Sequence, residues 1–244
     1  MKTERRTIRK YSSKAVESQL LDQLLSEALR TQTMGNLQLY SVVVTKDEEM
    51  KKRLAPAHFN QSMVTNAPVV LTFCADYNRT TEWCNLRKGN PGYNNFLSFL
   101  NAATDALLYC QTFCDLAEEA GLGLCFLGTT IYNAQQIVDT LQLPKLVMPV
   151  ATITLGWPDE QPALTDRLPL QAVVHEETYH DYSANDIDRL YSPKEALPEN
   201  QEFVRINHTE TLAQIFSDIR YTKKDCECMS ESLIATLKQQ GFLK

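Results

Sequence analysis

Residues 96–120 carry the pattern that limits this chain most. Phe96, Phe99, Leu100, Ala103, Ala106, Leu107, Cys110, Phe113, Cys114 and Ala117 recur at helical spacing and together cover a broad face. A helix apolar over that width needs more than one neighbour, so the pattern predicts a central core helix. Gly121 supplies its stop, because glycine takes the left-handed backbone at a helix end without a Cβ clash. A chain of 244 residues is long enough to surround such a helix with a sizeable core.

Short β-branched-rich runs at 39–45 and 69–75 read as strands, as do the apolar runs at 122–127 and 147–156. Leu20, Leu21, Leu24, Leu25 and Ala28 form one helical stripe within 17–30. Residues 133–141 read as a short helix with Asn133 as its N-cap and Pro144 beyond its end. The character changes after residue 180. Residues 181–202 are polar, hold Pro193 and Pro198, and are expected to form a long loop or arm. Amphipathic helices follow near 209–221 and 230–240, the second closed by Gly241. Helices and strands mix without strict βαβ alternation, which favours an α+β fold. The expectation is a single domain over 1–244, with 181–244 as a carboxy-terminal arm.

Composition removes several function classes. The formal charge is −6, from 24 basic and 30 acidic residues, with no Lys/Arg-rich run, which argues against nucleic acid as a partner. No apolar run approaches the roughly 18 residues of a membrane-spanning helix. The first ten residues are charged and lack a signal peptide's apolar stretch. A cytoplasmic protein with reduced thiols is therefore expected, despite its seven cysteines. Cys226 and Cys228 are the only close pair outside an apolar run and read as exposed thiols before a terminal helix, with a redox role as the alternative.

Familiar catalytic motifs are absent. Gly121 and Gly123 begin like a dinucleotide fingerprint but lack a third glycine, and they join a helix to a strand in the wrong order. There is no phosphate-binding P-loop and no nucleophile elbow. His175 and His180 are five apart, about 140° around a helix, and cannot share a metal on one face. What remains is a basic amino terminus. Arg5 and Arg9 are close enough to converge on one anion, and the arginine fork suits phosphate by donating two hydrogen bonds at once.

Several segments, in order, resemble the FMN-dependent nitroreductase family. They are Arg5 to Tyr11 (Arg5, Arg6, Thr7, Ile8, Arg9, Lys10, Tyr11); Thr33, Met34, Gly35, Asn36, Leu37 and Gln38; Gln61; and Phe73 to Asp76. Gly121 to Gly123, Leu127 to Thr129, Leu143 with Pro144, Leu155 to Pro158, Arg167 to Pro169, and Val174, His175, Glu176 and Tyr179 follow. The likeness is closest to the oxygen-insensitive major nitroreductases and flavin reductases. It covers 5–180 well and the last sixty residues weakly.

The resemblance implies a mainly antiparallel sheet flanked by helices and an interlocked homodimer, with one FMN in each of two interface clefts. It implies that Arg5, Arg6, Thr7 and Arg9 hold the FMN phosphate and ribityl chain, with Arg167 as a second phosphate anchor. Thr33, Met34 and Asn36 match a segment reaching the flavin from the partner subunit, and Gln61 matches a ring and ribityl contact. Leu127, Gly128 and Thr129 match a backbone stretch against the flavin ring. Thr129 replaces a family glycine and is expected to leave less room, while Thr165 replaces a family lysine and removes one phosphate charge. The implied activity is ping-pong hydride transfer from NADPH or NADH through FMN to nitroaromatics, quinones or free flavin, with no side chain acting as general base. The rivals are a non-catalytic or redox-sensing flavin-binding protein, and another flavin reaction such as reductive dehalogenation.

Overall fold

The computed structural model describes residues 4–244. Backbone contacts divide the chain into two compact units: residues up to Ala163 together with Met229–Lys244, and Leu164–Cys228.

The first unit is organised by four strands: β1 (Tyr40–Thr45), β2 (Val69–Asp76), β3 (Gly123–Leu127) and β4 (Val147–Gly156). Their order is β1-β2-β4-β3 and every pairing is antiparallel, the mainly antiparallel sheet expected. The two central strands are buried at every position, which is why they read as unbroken apolar runs rather than alternating ones. Pro149 sits in central β4 opposite Cys74, where the register shifts after Phe73. A residue without an N–H is tolerated at such an irregularity and hardly elsewhere in a sheet.

The core helix α5 (Phe96–Glu119) lies against β2, and α1 (Ser18–Ala28) packs beside it. Phe73 meets Phe113 and Tyr109 at ring distances of 6.1 and 6.0 Å. A second cluster, containing Leu54, Val64, Val70, Cys125, Leu127 and Ile137, draws alternate residues of the same strands, as the two-residue strand period requires. The α5 stripe is wider than this unit can cover. Phe96, Leu97, Leu100, Leu107 and Leu108 are 40–67% exposed, so the expectation that Phe96, Leu100 and Leu107 join the core is corrected.

Other elements were not read from the sequence. α2 (Glu48–Leu54), α3 (Ser62–Asn66) and α4 (Asn78–Leu86) are short, with one or two buried residues each, too few to print a stripe. α6 (Ala134–Leu141) follows Asn133 as expected.

In the second unit, the polar stretch expected to be a loop is helical: α7 (Ala184–Glu195) and α8 (Pro198–Ile206). Ser183 and Asp186 form a capping box that starts α7, and Pro198 opens α8 at a first-turn position where its missing N–H costs nothing. Where one amphipathic helix was expected, α9 (Leu212–Gln214) gives way to a π-helical turn (Ile215–Arg220). α10 (Lys223–Gln239) begins earlier than its apolar pattern suggested, so Cys226 and Cys228 are exposed but lie inside it. Two positions apart is about 200° around a helix, so these thiols cannot bridge to each other. No helix among the described residues is long and apolar enough to cross a membrane.

Candidate functional site

The strand β3 is an edge, and the amino-terminal segment runs along it. The Ile8 amide donates to the Leu124 carbonyl at 3.0 Å and the Ser12 amide to the Trp157 carbonyl at 2.9 Å. Tyr11 bridges Pro158, and its hydroxyl bonds the Ile8 carbonyl and Thr154 Oγ1 at 2.8 and 2.6 Å. Burial pushes that phenol's pKa up. Close approach demands glycine on the sheet side. A Cβ on Gly123 would stand 2.8 Å from Ile8, and one on Gly156 2.8 Å from Tyr11 and 2.7 Å from Pro68.

This register brings the basic residues to β3. Arg5 lies 3.4 Å from the Glu118 carboxylate and donates to Thr7 Oγ1 at 3.5 Å. Arg6 donates to the Pro162 carbonyl at 2.8 Å. The main-chain amides of Arg9 and Lys10 both donate to Glu160, at 2.5 and 3.0 Å, which holds that carboxyl's pKa low. Burial pushes the Cys125 thiol up, while the guanidinium groups of Arg9 and Arg5 pull it back. A cleft of about 480 Å³ opens at the start of β3, lined among others by Arg5, Arg6, Ile8, Glu118, Gly123 and Glu160.

Two residues beyond Cys125, β3 ends in Leu127 and turns through Gly128–Thr130. Nothing lies within 4 Å of where a Cβ on Gly128 would stand, so this stretch has an open face. Thr129 does not crowd that face, contrary to expectation. It is buried, and its hydroxyl meets His58 Nδ1 at 2.8 Å. His58 is wholly buried and its Nε2 has no partner among the described residues. Burial lowers its pKa to about 4, so the imidazole is neutral. The Gln61 amide donates to the His58 carbonyl at 3.2 Å, and Asn133 Nδ2 to the Ala57 carbonyl at 3.0 Å. Gln61, the N-cap of α3, thus belongs to the same neighbourhood.

Arg5 and Arg6 line the cleft at the start of β3, with Thr7 bonded to Arg5, whereas Leu127, Gly128, Thr129 and Gln61 lie around the end of that strand. Guanidinium groups lining a cleft suit a phosphate, so the donors at Arg5 and Arg6 fit the phosphate of FMN. Thr33 and Met34 are held elsewhere, against Asp105 of α5, and Asn36 is held by the Gln38 side chain. Arg167 belongs to the second unit, where it donates to Thr165 Oγ1 and the Asp166 carbonyl, both at 2.8 Å. Glu118, His58 and Asp105 were missed by sequence reasoning. Only Asp105 left a signal: a carboxylate inside the apolar run of α5.

Residues 3–157 match the profile of the nitroreductase family. An FMN reductase [NAD(P)H] from Bacillus subtilis is 35% identical over 179 residues, 72% of each chain. A crystal structure from Bacteroides fragilis, provisionally described as an oxidoreductase, is 59% identical with TM-score 0.97 over 98% of both chains. The NADPH:FMN oxidoreductase of Vibrio harveyi, complexed with NAD+, is 25% identical with TM-score 0.78, covering 99% of this chain and 96% of its own.

Proposed function

The chain belongs to the nitroreductase family, and from that premise we propose a specific cofactor site and quaternary arrangement for it. It is an FMN-dependent NAD(P)H oxidoreductase. FMN, when bound, takes hydride from the nicotinamide and passes reducing equivalents to an acceptor. Arg5 and Arg9 hold the phosphate, with Arg6 and Thr7 beside them. Leu127, Gly128 and Thr129 offer a main-chain surface to the ring, and Gln61 a side-chain contact. No side chain of this set serves as general base. His58, the nearest imidazole, is turned inward and neutral.

The apolar side of α5 left open by Phe96, Leu97, Leu100, Leu107 and Leu108 supports a homodimer built on that helix. In that dimer, the turn at Met34 and Asn36 reaches the flavin of the second subunit. Donor and acceptor use one cleft in turn, which gives ping-pong kinetics with nitroaromatics, quinones or free flavin as acceptors. A cytoplasmic location suits the seven unpaired thiols.

The observation that carries this reading is the amino-terminal segment laid on β3, which sets Arg5 and Arg6 in the lining of a cleft of about 480 Å³. Purified protein is expected to show bound-flavin absorption after incubation with FMN, bleached by NADPH or NADH under anaerobic conditions. Arg9→Ala should weaken FMN by about ten- to a hundredfold, roughly 1.5–3 kcal/mol for one charge-assisted contact. Unchanged affinity in that variant would remove the site assignment.

A further inference from the structure

We propose that Asp105 is a positioning residue for the flavin contacts of the Met34–Asn36 turn, acting through Thr33; this rests on the FMN reading above. Asp105 is 2% exposed and stands on α5 among buried Ala102, Ala103, Ala106 and Tyr109. A carboxylate in such surroundings is costly unless its oxygens are fully used. They are. The Thr33 hydroxyl donates to Oδ2 at 2.6 Å, the Met34 amide to Oδ1 at 3.0 Å and Oδ2 at 3.2 Å, and the Leu39 amide to Oδ2 at 3.2 Å.

These donors come from both ends of one loop. The Thr33 oxygen, having donated its proton, accepts the Gln38 amide at 2.9 Å. The segment from Thr33 to Leu39 is therefore closed on a single carboxylate. Between its ends the backbone is left-handed at Gly35 (φ +55°), Asn36 (+54°) and Gln38 (+49°). Glycine and asparagine take that conformation readily; glutamine does so at a cost that surrounding contacts must offset. The Gln38 side-chain amide adds bonds to the Asn36 carbonyl and Oδ1 at 2.9 and 2.7 Å.

The consequence is a division of labour within the expected cofactor segment. Thr33 spends its only hydroxyl proton on Asp105 and accepts the Gln38 amide, so its hydroxyl ties the two ends of the turn together and has no proton left to donate to a ligand. Met34, 46% exposed, and Asn36 are the outward residues. Asparagine cannot replace Asp105, because both carboxylate oxygens accept protons and an amide NH₂ would confront an N–H.

The test compares Asp105→Asn, Thr33→Val and Thr33→Ser with the unmodified dimer. FMN affinity is read by quenching of free-flavin fluorescence, together with the visible spectrum of the bound flavin. A misplaced contact shell should weaken FMN by about tenfold or more in Asp105→Asn and Thr33→Val and shift the bound-flavin absorption band. Thr33→Ser, which keeps the hydroxyl, should rescue both. Tyr109→Phe is the control for a purely structural role. Tyr109 stands one turn from Asp105 on α5, and loss of its hydroxyl deletes the 2.7 Å bond to the Leu25 carbonyl of α1, which should lower the melting temperature without moving FMN affinity. If Asp105→Asn does not fold, Thr33→Val carries the test. Wild-type protein that binds FMN, with Thr33→Val binding it equally well, overturns the proposal alone. Wild-type protein that binds no FMN overturns the cofactor reading and this proposal with it.

Discussion

In the sheet-centred unit, polar side chains are taken inside; several find partners there, while His58 Nε2, Thr72 Oγ1 and Thr152 Oγ1 find none among the described residues. Asp105 collects three donors, Thr129 meets His58, and the Lys51 ammonium, itself buried, donates to the Ala67 carbonyl at 2.8 Å. In Leu164–Cys228 the polar pairs stay at the surface. Ser183 caps α7, Thr211 caps α9, and Lys194 pairs with Asp166 at 2.7 Å. Only Leu190, Leu212 and Ile215 of that unit are buried. A buried polar group is worth several kcal/mol when mismatched, whereas an exposed cap or ion pair is worth about one or less. Single substitutions should therefore act strongly and specifically in the first unit, and weakly in the second.

The largest effect that can break this contrast is acid titration of His58. The unfolded imidazole takes a proton near pH 6.5, the folded one only near pH 4. Stability tied to its neutral form is complete above pH 6.5 and is lost as pH falls toward 4, by on the order of 3 kcal/mol. Denaturant midpoints for the protein and His58→Asn, measured from pH 7.5 to 4, should show their stability difference shrinking by that amount. A flat difference would mean that the imidazole titrates alike in the folded and unfolded chain.

Nucleotide choice comes next, and the second unit has little to offer a 2′-phosphate. Residues 191–202 hold one lysine and three glutamates. Lys194 is engaged by Asp166, and Arg205 meets Glu202 through two bonds of 2.7 and 2.5 Å. With both cations already paired, a 2′-phosphate gains little there. The preference for NADPH over NADH should stay below about a hundredfold, roughly 2.7 kcal/mol. It is read as the ratio of kcat/KM at one low ionic strength, and a larger ratio would reveal a phosphate site outside these pairs.

Ser183→Ala should have the smallest effect, about 1 kcal/mol for a lost helix cap. Hydrogen exchange would show it as faster exchange confined to α7, with β2 and β4 unchanged. Loss of protection across the sheet would join what the comparison keeps apart.

Legibility followed burial. The four strands, α1, α5 and α6 were readable because each presents a periodic or continuous apolar pattern to a core. α7 and α8 were not, because α7 buries Leu190 alone and α8 buries nothing. Their signals were caps, and Pro193 inside α7 argued the other way. The start of α10 was missed for the same reason: Thr222, whose hydroxyl meets Asp225 at 2.8 Å, opens it without an apolar residue. At the site, the arginines and the Leu127–Thr129 stretch were recognisable as a motif. Their partners were not. Glu118 and Glu160 are unremarkable acids until the amino terminus is laid on β3, and His58 is one of four histidines until Thr129 is folded onto it.

The lie of the amino terminus along β3 also sets a clock on biosynthesis. Arg6 is bonded to Pro162, 156 positions later, and Arg9 and Lys10 to Glu160, 151 and 150 positions later. At ribosomal speeds of about 5–20 residues per second, roughly 8–30 s separate the making of the arginines from the making of the surface that orders them. Through that interval Arg6, Arg9 and Lys10 lack the partners that Pro162 and Glu160 give them. A chain stalled before residue 160 accordingly has Glu118 and Leu124 to receive Arg5 and Ile8, but nothing yet to fix Arg6 or the main chain at Arg9 and Lys10.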